Sequence, residues 1–221
     1  MVTKHIDDID MKLFARICST IFHPVIMAPL GVFLSLYYSF MSMLGLDYIL
    51  RVTLTLVVFT MAIPCLGVLL LYKARRITSV GLVNREERTL PYILFFVCYL
   101  LAGLFLWWSN LRGMQLGFLV GGLCAILVDV LVNRWWKISV HMTAIGGLAG
   151  LIFVMSVMQY IMYTELIPWL QMGVVLAAGA LGSSRIILRR HTIGQVFCGF
   201  FNGFIWVFIC AYIAITLQYV Q

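Results

Sequence analysis

The chain has 221 residues, of which 63% are hydrophobic and 10% are charged, and its formal net charge is +7. Soluble domains are roughly half apolar and one quarter charged, so this composition excludes an ordinary water-soluble fold. It predicts a polytopic helical membrane protein. The positive charge does not indicate nucleic-acid binding, because the basic residues lie at the ends of apolar segments, where the positive-inside rule and anionic lipids account for them.

Apolar segments long enough to cross a bilayer, which takes about 20 residues of helix, recur along the chain. In order they cover residues 14–40, 51–72, 91–109, 114–133, 140–162, 167–184 and 193–218. They predict an all-α membrane bundle of six or seven transmembrane helices in a single domain over residues 1–221. The N-terminal residues lack the pattern of a cleaved signal peptide, so we expect the first segment to be retained.

The connections and small residues of these segments predict how they pack. The short SNLRG connection after the third segment indicates a helical hairpin with the fourth. The fifth segment contains AIGGLAG and the sixth contains AAGALGSS, and such small residues let helix backbones approach closely in lipid. The long polar connection runs from residue 73 to residue 92.

The cations divide unequally between the two sides of such a bundle. If the N-terminus defines side A, side B receives only Arg51 and Arg112. Side A receives Lys4, Lys12, Arg16, Lys73, Arg75, Arg76, Arg85, Arg88, Arg134, Lys137, Arg185, Arg189 and Arg190. The positive-inside rule therefore predicts that side A is cytoplasmic, and we expect a multi-pass protein of the bacterial inner membrane.

Three polar clusters, far apart in sequence, fall at the membrane boundary of side A. The first, NREERTLP, carries two arginines three residues apart, which predicts one helical face. The second is WWKISVHM and the third is SRIILRRHTIGQ. The candidate site residues in these clusters are Arg85, Arg88, Ser139, His141, Arg185, His191 and Gln195.

These residue types suit the chemistry of a phosphoryl group. Guanidinium groups recognise phosphate oxygens bidentately, and a serine hydroxyl or a helix N-terminus adds neutral donors. Two histidines allow one to attack phosphorus and the other to protonate the leaving oxygen. Glu86 and Glu87 are adjacent and Asp129 stands alone within a span, so we expect a reaction without a metal or other cofactor.

The clusters resemble the three signatures of the type 2 phosphatidic acid phosphatase and vanadium haloperoxidase superfamily, over roughly residues 73–200. Ser184-Arg185, five residues and then His191 reproduce its third signature, with Gln195 where Asp is usual. Ser139 and His141 match the second without its Pro and Gly, and Arg88 with Pro91 approximates the first. The HTxxQV form also looks like the dolichyl-pyrophosphate phosphatase branch.

This resemblance implies a role for each candidate residue. His191 is implied as the nucleophile that forms a phosphohistidine, and His141 as the general acid. The phosphoryl group would be held by Arg88, Arg185 and Ser139, with Arg85 as a helper. Gln195 would accept the hydrogen bond that orients His191, without supplying the charge of an aspartate.

Other polar residues have plainer interpretations. His23, followed by Pro24, indicates a structural residue at a helix kink. Arg75, Arg76, Arg189 and Arg190 are interpreted as topology and headgroup anchors. Asp129 is either a functional acid or a hydrogen-bonded structural one.

We therefore expect an integral membrane phosphatase that hydrolyses a phosphomonoester or pyrophosphate on a lipid, whose tail stays in the bilayer while its headgroup enters the site. Phosphatidylglycerol phosphate and phosphatidic acid suit a cytoplasmic site, and polyprenyl pyrophosphate suits an outward one. A non-catalytic lipid-binding or scaffold protein with a degenerate pocket, and a transporter of anionic lipids, are the alternatives.

Overall fold

The computed structural model describes residues 2–82 and 84–220, with side chains described from residue 10 to residue 218 apart from residue 83, so the side chain of Lys4 lies outside it. These residues form an all-α bundle, as the sequence predicts. Its α-helices are α1 (Val2–Ile21), α2 (Pro24–Tyr37), α3 (Leu46–Val57), α4 (Ile63–Lys73), α5 (Thr89–Trp108), α6 (Met114–Val132), α7 (Val140–Val157), α8 (Ile167–Ile187) and α9 (Ile193–Val220).

The predicted number of six or seven membrane spans is confirmed by length and hydropathy. Six segments are long and apolar enough to cross a membrane, and the bent pair α1–α2 brings the number to seven if it counts as one span. Helices α3 and α4 form one of the six, joined by a π-helical turn at Val58–Ala62. Pro64 explains this turn, because its ring excludes the usual bond to the carbonyl of Thr60.

The first span, predicted over residues 14–40, contains a break at the position where Pro24 predicts a kink. It breaks between α1 and α2, which are bent by 51° relative to each other. Pro24 disfavours a helical conformation in the preceding residue, and His23 accordingly takes an extended conformation with φ −68° and ψ 138°. The break therefore places the polar residue His23 between two helices, inside the predicted span.

Helix α7 occupies the centre of the bundle and is the most buried of the spans. It packs against α2, α8 and above all α9. Gly146 and Gly150 lie directly on the backbone of α9, where an added Cβ would meet the carbonyl oxygens of Phe200 and Phe204. The small residues of AIGGLAG therefore provide the close helix approach that the sequence predicts, and α5 and α6 form the predicted hairpin.

The direction of α2 places the helix break on the same side as the three polar clusters. The end of α2 lies beside the connection between α7 and α8, since the Met162 amide donates to the Tyr38 carbonyl at 2.9 Å. That connection is on side B, so α2 begins on side A. His23 consequently stands at the same end of the bundle as the first residues of α5, α7 and α9.

Candidate active site

A cavity of about 770 Å³ opens into the side A half of the bundle. Four residues predicted as site residues line it, namely Arg88, His141, Arg185 and His191. They come from the short 3-10 turn before α5, the first turn of α7, the last turn of α8 and the loop before α9. The bundle therefore brings together residues that are separated by about one hundred positions along the chain.

His191 is held by a hydrogen bond that defines its tautomer. The Oε1 atom of Gln195 lies 3.1 Å from Nδ1 of His191 and 3.2 Å from the backbone nitrogen of Thr192. A backbone N–H can only donate, so this Gln195 atom is the amide oxygen and accepts both bonds. Nδ1 of His191 is therefore protonated, which leaves the lone pair of Nε2 free for chemistry.

The environment of His191 also keeps its imidazole neutral. Only 8% of the residue is exposed, and it lies near the guanidinium of Arg185. Burial first and the positive charge of Arg185 second lower the pKa of His191 to about 4, although the bond to Gln195 acts in the opposite sense. At neutral pH the ring is uncharged, as a nitrogen nucleophile must be.

His141 is placed by the first turn of α7 and by the α1–α2 junction. Its ring stands edge-on to that of His23, with the two centroids 5.4 Å apart and the planes at 75°. Ser19, near the end of α1, lines the same cavity. The end of α1 and the start of α2 thus form one wall of the site and orient its second imidazole.

The two cavity arginines are positioned by neutral oxygen atoms. Arg185 donates from Nη1 to the Ser19 hydroxyl at 3.5 Å, and its buried Nε has no hydrogen-bond partner among the described residues. Arg88 donates from Nε to the Leu82 carbonyl at 2.9 Å and from Nη1 to the Ile138 carbonyl at 3.4 Å. Neither set of bonds neutralises the positive charge, so both guanidinium groups favour an anion in the cavity.

The polar connection between α4 and α5 folds over the cavity and supplies part of its wall. The carboxylate of Glu87 accepts hydrogen bonds from the Thr78 amide and hydroxyl, both at 2.8 Å, and from Asn84 Nδ2 at 3.0 Å. These bonds close the loop and bring Leu82 to the cavity rim, where its carbonyl meets Arg88. The carboxylate of Glu87 is thus used to order the loop.

Two predicted phosphate-binding residues do not line the cavity. Arg85 lines a separate surface pocket with Asn84, Glu86 and Glu87. Arg85 has helical dihedral angles and its carbonyl accepts from the Arg88 amide at 3.2 Å, yet only Arg88 of the two lines the cavity. Ser139 is fully buried beside the cavity at the start of α7, and its hydroxyl has no hydrogen-bond partner among the described residues.

The cavity is also lined by polar residues that are not among the predicted site residues. Its lining includes Arg16, Ser19, His23, Lys137 and Arg190. Burial and the neighbouring charges of Arg88, Arg190 and Arg185 lower the pKa of Lys137. The site is thus more cationic than the three motifs indicate, and it extends beyond residues 73–200 into α1.

Asp129 lies at the boundary of this polar region, buried in α6 and lining the cavity. Its Oδ1 accepts hydrogen bonds from the Thr143 hydroxyl at 3.1 Å and from Asn202 Nδ2 at 2.9 Å. The acid therefore links α6, α7 and α9 below the cations. Among the described residues, no three His, Cys, Asp or Glu side chains are grouped so that they could hold a metal ion.

The fold and the cavity together define a polytopic helical membrane protein with a buried, cation-rich site that opens on one side. Comparisons of the chain with protein-family models, with curated proteins and with solved structures find no match.

Proposed function

We propose that the protein is an integral membrane lipid phosphatase that cleaves a phosphomonoester or pyrophosphate through a phosphohistidine. The observation that carries this proposal is the convergence of His191, His141, Arg88 and Arg185 on one cavity. Uncompensated guanidinium groups favour a phosphate, and a neutral imidazole with a free Nε2 lone pair is suited to attack phosphorus. The resemblance of the three motifs to type 2 phosphatidic acid phosphatases supports the same function.

The proposed reaction has two steps. Nε2 of His191 attacks phosphorus, and the bond from phosphorus to the lipid oxygen breaks while His141, protonated in the complex with the phosphate anion, donates a proton to that oxygen. Neutral His141 then takes a proton from water, whose oxygen attacks phosphorus and releases phosphate from His191. Arg88 and Arg185 stabilise the charge on the equatorial oxygens in both transition states, and Gln195 holds the ring of His191 throughout.

The charge distribution supports a cytoplasmic site. Five of the cations counted on side A line the cavity, which gives them a local role besides any effect on topology. When Arg16, Arg88, Lys137, Arg185 and Arg190 are set aside, the remaining cations still favour side A by eight to two. The positive-inside rule therefore still favours a cytoplasmic side A in a bacterial inner membrane, where phosphatidic acid or phosphatidylglycerol phosphate is the expected type of substrate.

Phosphate release by the purified full-length protein tests the proposal. Phosphatidic acid, phosphatidylglycerol phosphate and a polyprenyl pyrophosphate are the substrates to compare. We expect His191→Ala and Arg185→Ala to abolish turnover, whereas Arg189→Ala, which changes a neighbouring cation that does not line the cavity, retains it. Vanadate is expected to inhibit and EDTA to have no effect.

Trapping of the intermediate separates catalysis from lipid binding alone. Rapid quenching in base is expected to yield an acid-labile phosphohistidine in the unmodified protein and none in His191→Ala. Equal phosphate release by His191→Ala would refute the proposal. Tight binding of lipid phosphates without any release would favour the scaffold alternative.

A further inference from the structure

The cavity continues below the cations as an apolar chamber. Its deeper lining is provided by α2, α4, α5, α6, α7 and α9, and includes Val68, Phe95, Tyr99, Phe118, Gly122 and Val207. These side chains are almost all apolar, in contrast to the arginines and imidazoles at the side A end. The single cavity thus has a cationic end and a hydrocarbon-like end.

The depth of the whole cavity, from its cationic end to its apolar end, matches one leaflet of a membrane. Along α5 and the turn before it, the lining residues run from Arg88 to Tyr99, a rise of about 16 Å at 1.5 Å per residue. The hydrocarbon core of a bilayer is about 30 Å thick, so the cavity is about as deep as the acyl layer of one leaflet. The volume of the whole cavity, about 770 Å³, lies in the range of pockets that enclose whole ligands.

We propose that this chamber encloses the hydrocarbon chain of the substrate while the phosphate lies among the cations. The inference rests on the proposed function, and it replaces the expectation that the tail stays in the bilayer. An apolar wall that continues directly from an anion site fits a molecule with a charged head and an apolar chain. Among the polar groups in this wall, Asp129 already accepts two hydrogen bonds from its neighbours, and one of the donors is the hydroxyl of Thr143, which also lines the cavity.

A lateral route from the bilayer to the chamber lies between α2 and α4. Both helices line the cavity, α2 through Val25 and Ala28 and α4 through Cys65 and Leu69. The two helices nevertheless do not pack extensively on each other. Helix α2 contacts α3 and the π-helical turn, whereas α4 packs on α5. Leu69 is 45% exposed, which marks the rim where an alkyl chain enters from the lipid.

The chain-length preference of hydrolysis tests this proposal. We compare kcat/KM for hexadecyl phosphate and butyl phosphate in the full-length protein. Val68→Phe fills the chamber from α4, and Leu70→Phe, which is 56% exposed and lines no part of the cavity, is the matched control. We expect the ratio of hexadecyl to butyl kcat/KM to fall by about tenfold or more in Val68→Phe and to stay unchanged in Leu70→Phe.

A variant that enlarges the chamber is expected to have the opposite effect on chain-length preference. Phe118→Ala removes a ring from the deep end of the cavity and is expected to shift the preference towards chains longer than hexadecyl. Equal ratios in the Val68→Phe and Leu70→Phe proteins would overturn the enclosed chain. Hydrolysis of butyl phosphate that persists in His191→Ala would instead overturn the proposed function. The enclosed chain would then be tested by photocrosslinking, which does not depend on turnover.

Photocrosslinking locates the chain without any turnover. An alkyl phosphate with a diazirine at its far end is bound to His191→Ala protein in lipid nanodiscs and irradiated. We expect labelled peptides that contain Phe118 and Val207. Labelling confined to outward-facing residues such as Leu66 and Leu70 would refute the inference, whatever the enzymatic results.

Discussion

The hydrogen bond between Gln195 and His191 provides the most direct test of the proposed nucleophile. In Gln195→Leu the buried Nδ1–H of His191 loses the acceptor that now lies 3.1 Å away. A buried donor left without a partner costs about 1–3 kcal/mol. If this cost appears as lost orientation in the transition state, kcat falls roughly 5- to 150-fold.

The isosteric change Gln195→Glu keeps the acceptor and adds a negative charge. With charge centres about 4–5 Å apart and an effective dielectric constant of about 20, attraction to a protonated His191 is roughly 3–4 kcal/mol. This equals about two to three pKa units, so the pKa of His191 rises from about 4 to about 6.5. A higher pKa leaves more of the ring protonated and inactive in mild acid.

The assay is the pH dependence of kcat/KM, which reports ionisations of the free enzyme and free substrate. The control carries the same charge change at a residue that does not line the cavity, Gln171→Glu. The phosphate substrate also ionises, with a pKa near 6, and this contribution cancels in the ratio of kcat/KM for Gln195→Glu to that for the control. We expect this ratio to decrease as pH falls below about 6.5 and to level off near the control's His191 pKa of about 4. Imidazole NMR titration of the substrate-free proteins measures the pKa of His191 directly.

Two outcomes would contradict this account of His191. Full activity in Gln195→Leu would show that orientation through Nδ1 is unimportant for the reaction. Coincident titration curves for His191 in the Gln195→Glu and Gln171→Glu proteins would show that residue 195 does not face the ring in solution.

Three further perturbations test the packing and the electrostatics of the bundle. Asp129→Leu removes one acceptor from the Thr143 hydroxyl and one from Asn202 Nδ2, which keep only the Ser139 and Ala125 carbonyls. It is expected to destabilise the protein by about 1–3 kcal/mol, which thermal unfolding in detergent measures against the milder Asp129→Asn. Gly150→Ala places a Cβ 2.5 Å from the Phe204 carbonyl oxygen and should sharply lower the yield of folded protein, whereas Gly179→Ala meets nothing within 4 Å and should be tolerated. Stability should fall as pH decreases from about 6.5 to about 4, because the unfolded imidazole of His191 then binds a proton that the folded one does not, and His191→Gln should reduce this slope.

The third motif was the most accessible to prediction because its geometry is local. His191 directly precedes Thr192, which exchanges hydrogen bonds with Gln195 across the first turn of α9, and this capping box brings the Gln195 amide oxygen to His191. Arg185 lies in the last turn of the preceding helix, separated from His191 by a short loop. Spacing in the sequence therefore translates almost directly into distance in space.

The α1–α2 junction shows where this local reasoning ends. Pro24 predicts a kink, and the structure contains a break at that position. The direction of the break depends on how α1 packs on α8, which no local pattern encodes. For this reason the local pattern indicates only a structural role for His23, although its ring lies 5.4 Å from that of His141. A histidine placed before proline in an apolar segment was the available signal.

The apolar chamber was inaccessible to sequence reasoning for a physical reason. In a soluble helix the apolar stripe identifies the buried face, but a membrane helix is apolar on all sides. Val68 lines the chamber and Leu70 faces outward, yet both residues are aliphatic and two positions apart. Side chains that face lipid and side chains that face an apolar cavity must both be apolar. Only the packing of α4 against its neighbours therefore distinguishes them. Variants at these two positions consequently test tertiary structure, with hydrophobicity held nearly constant.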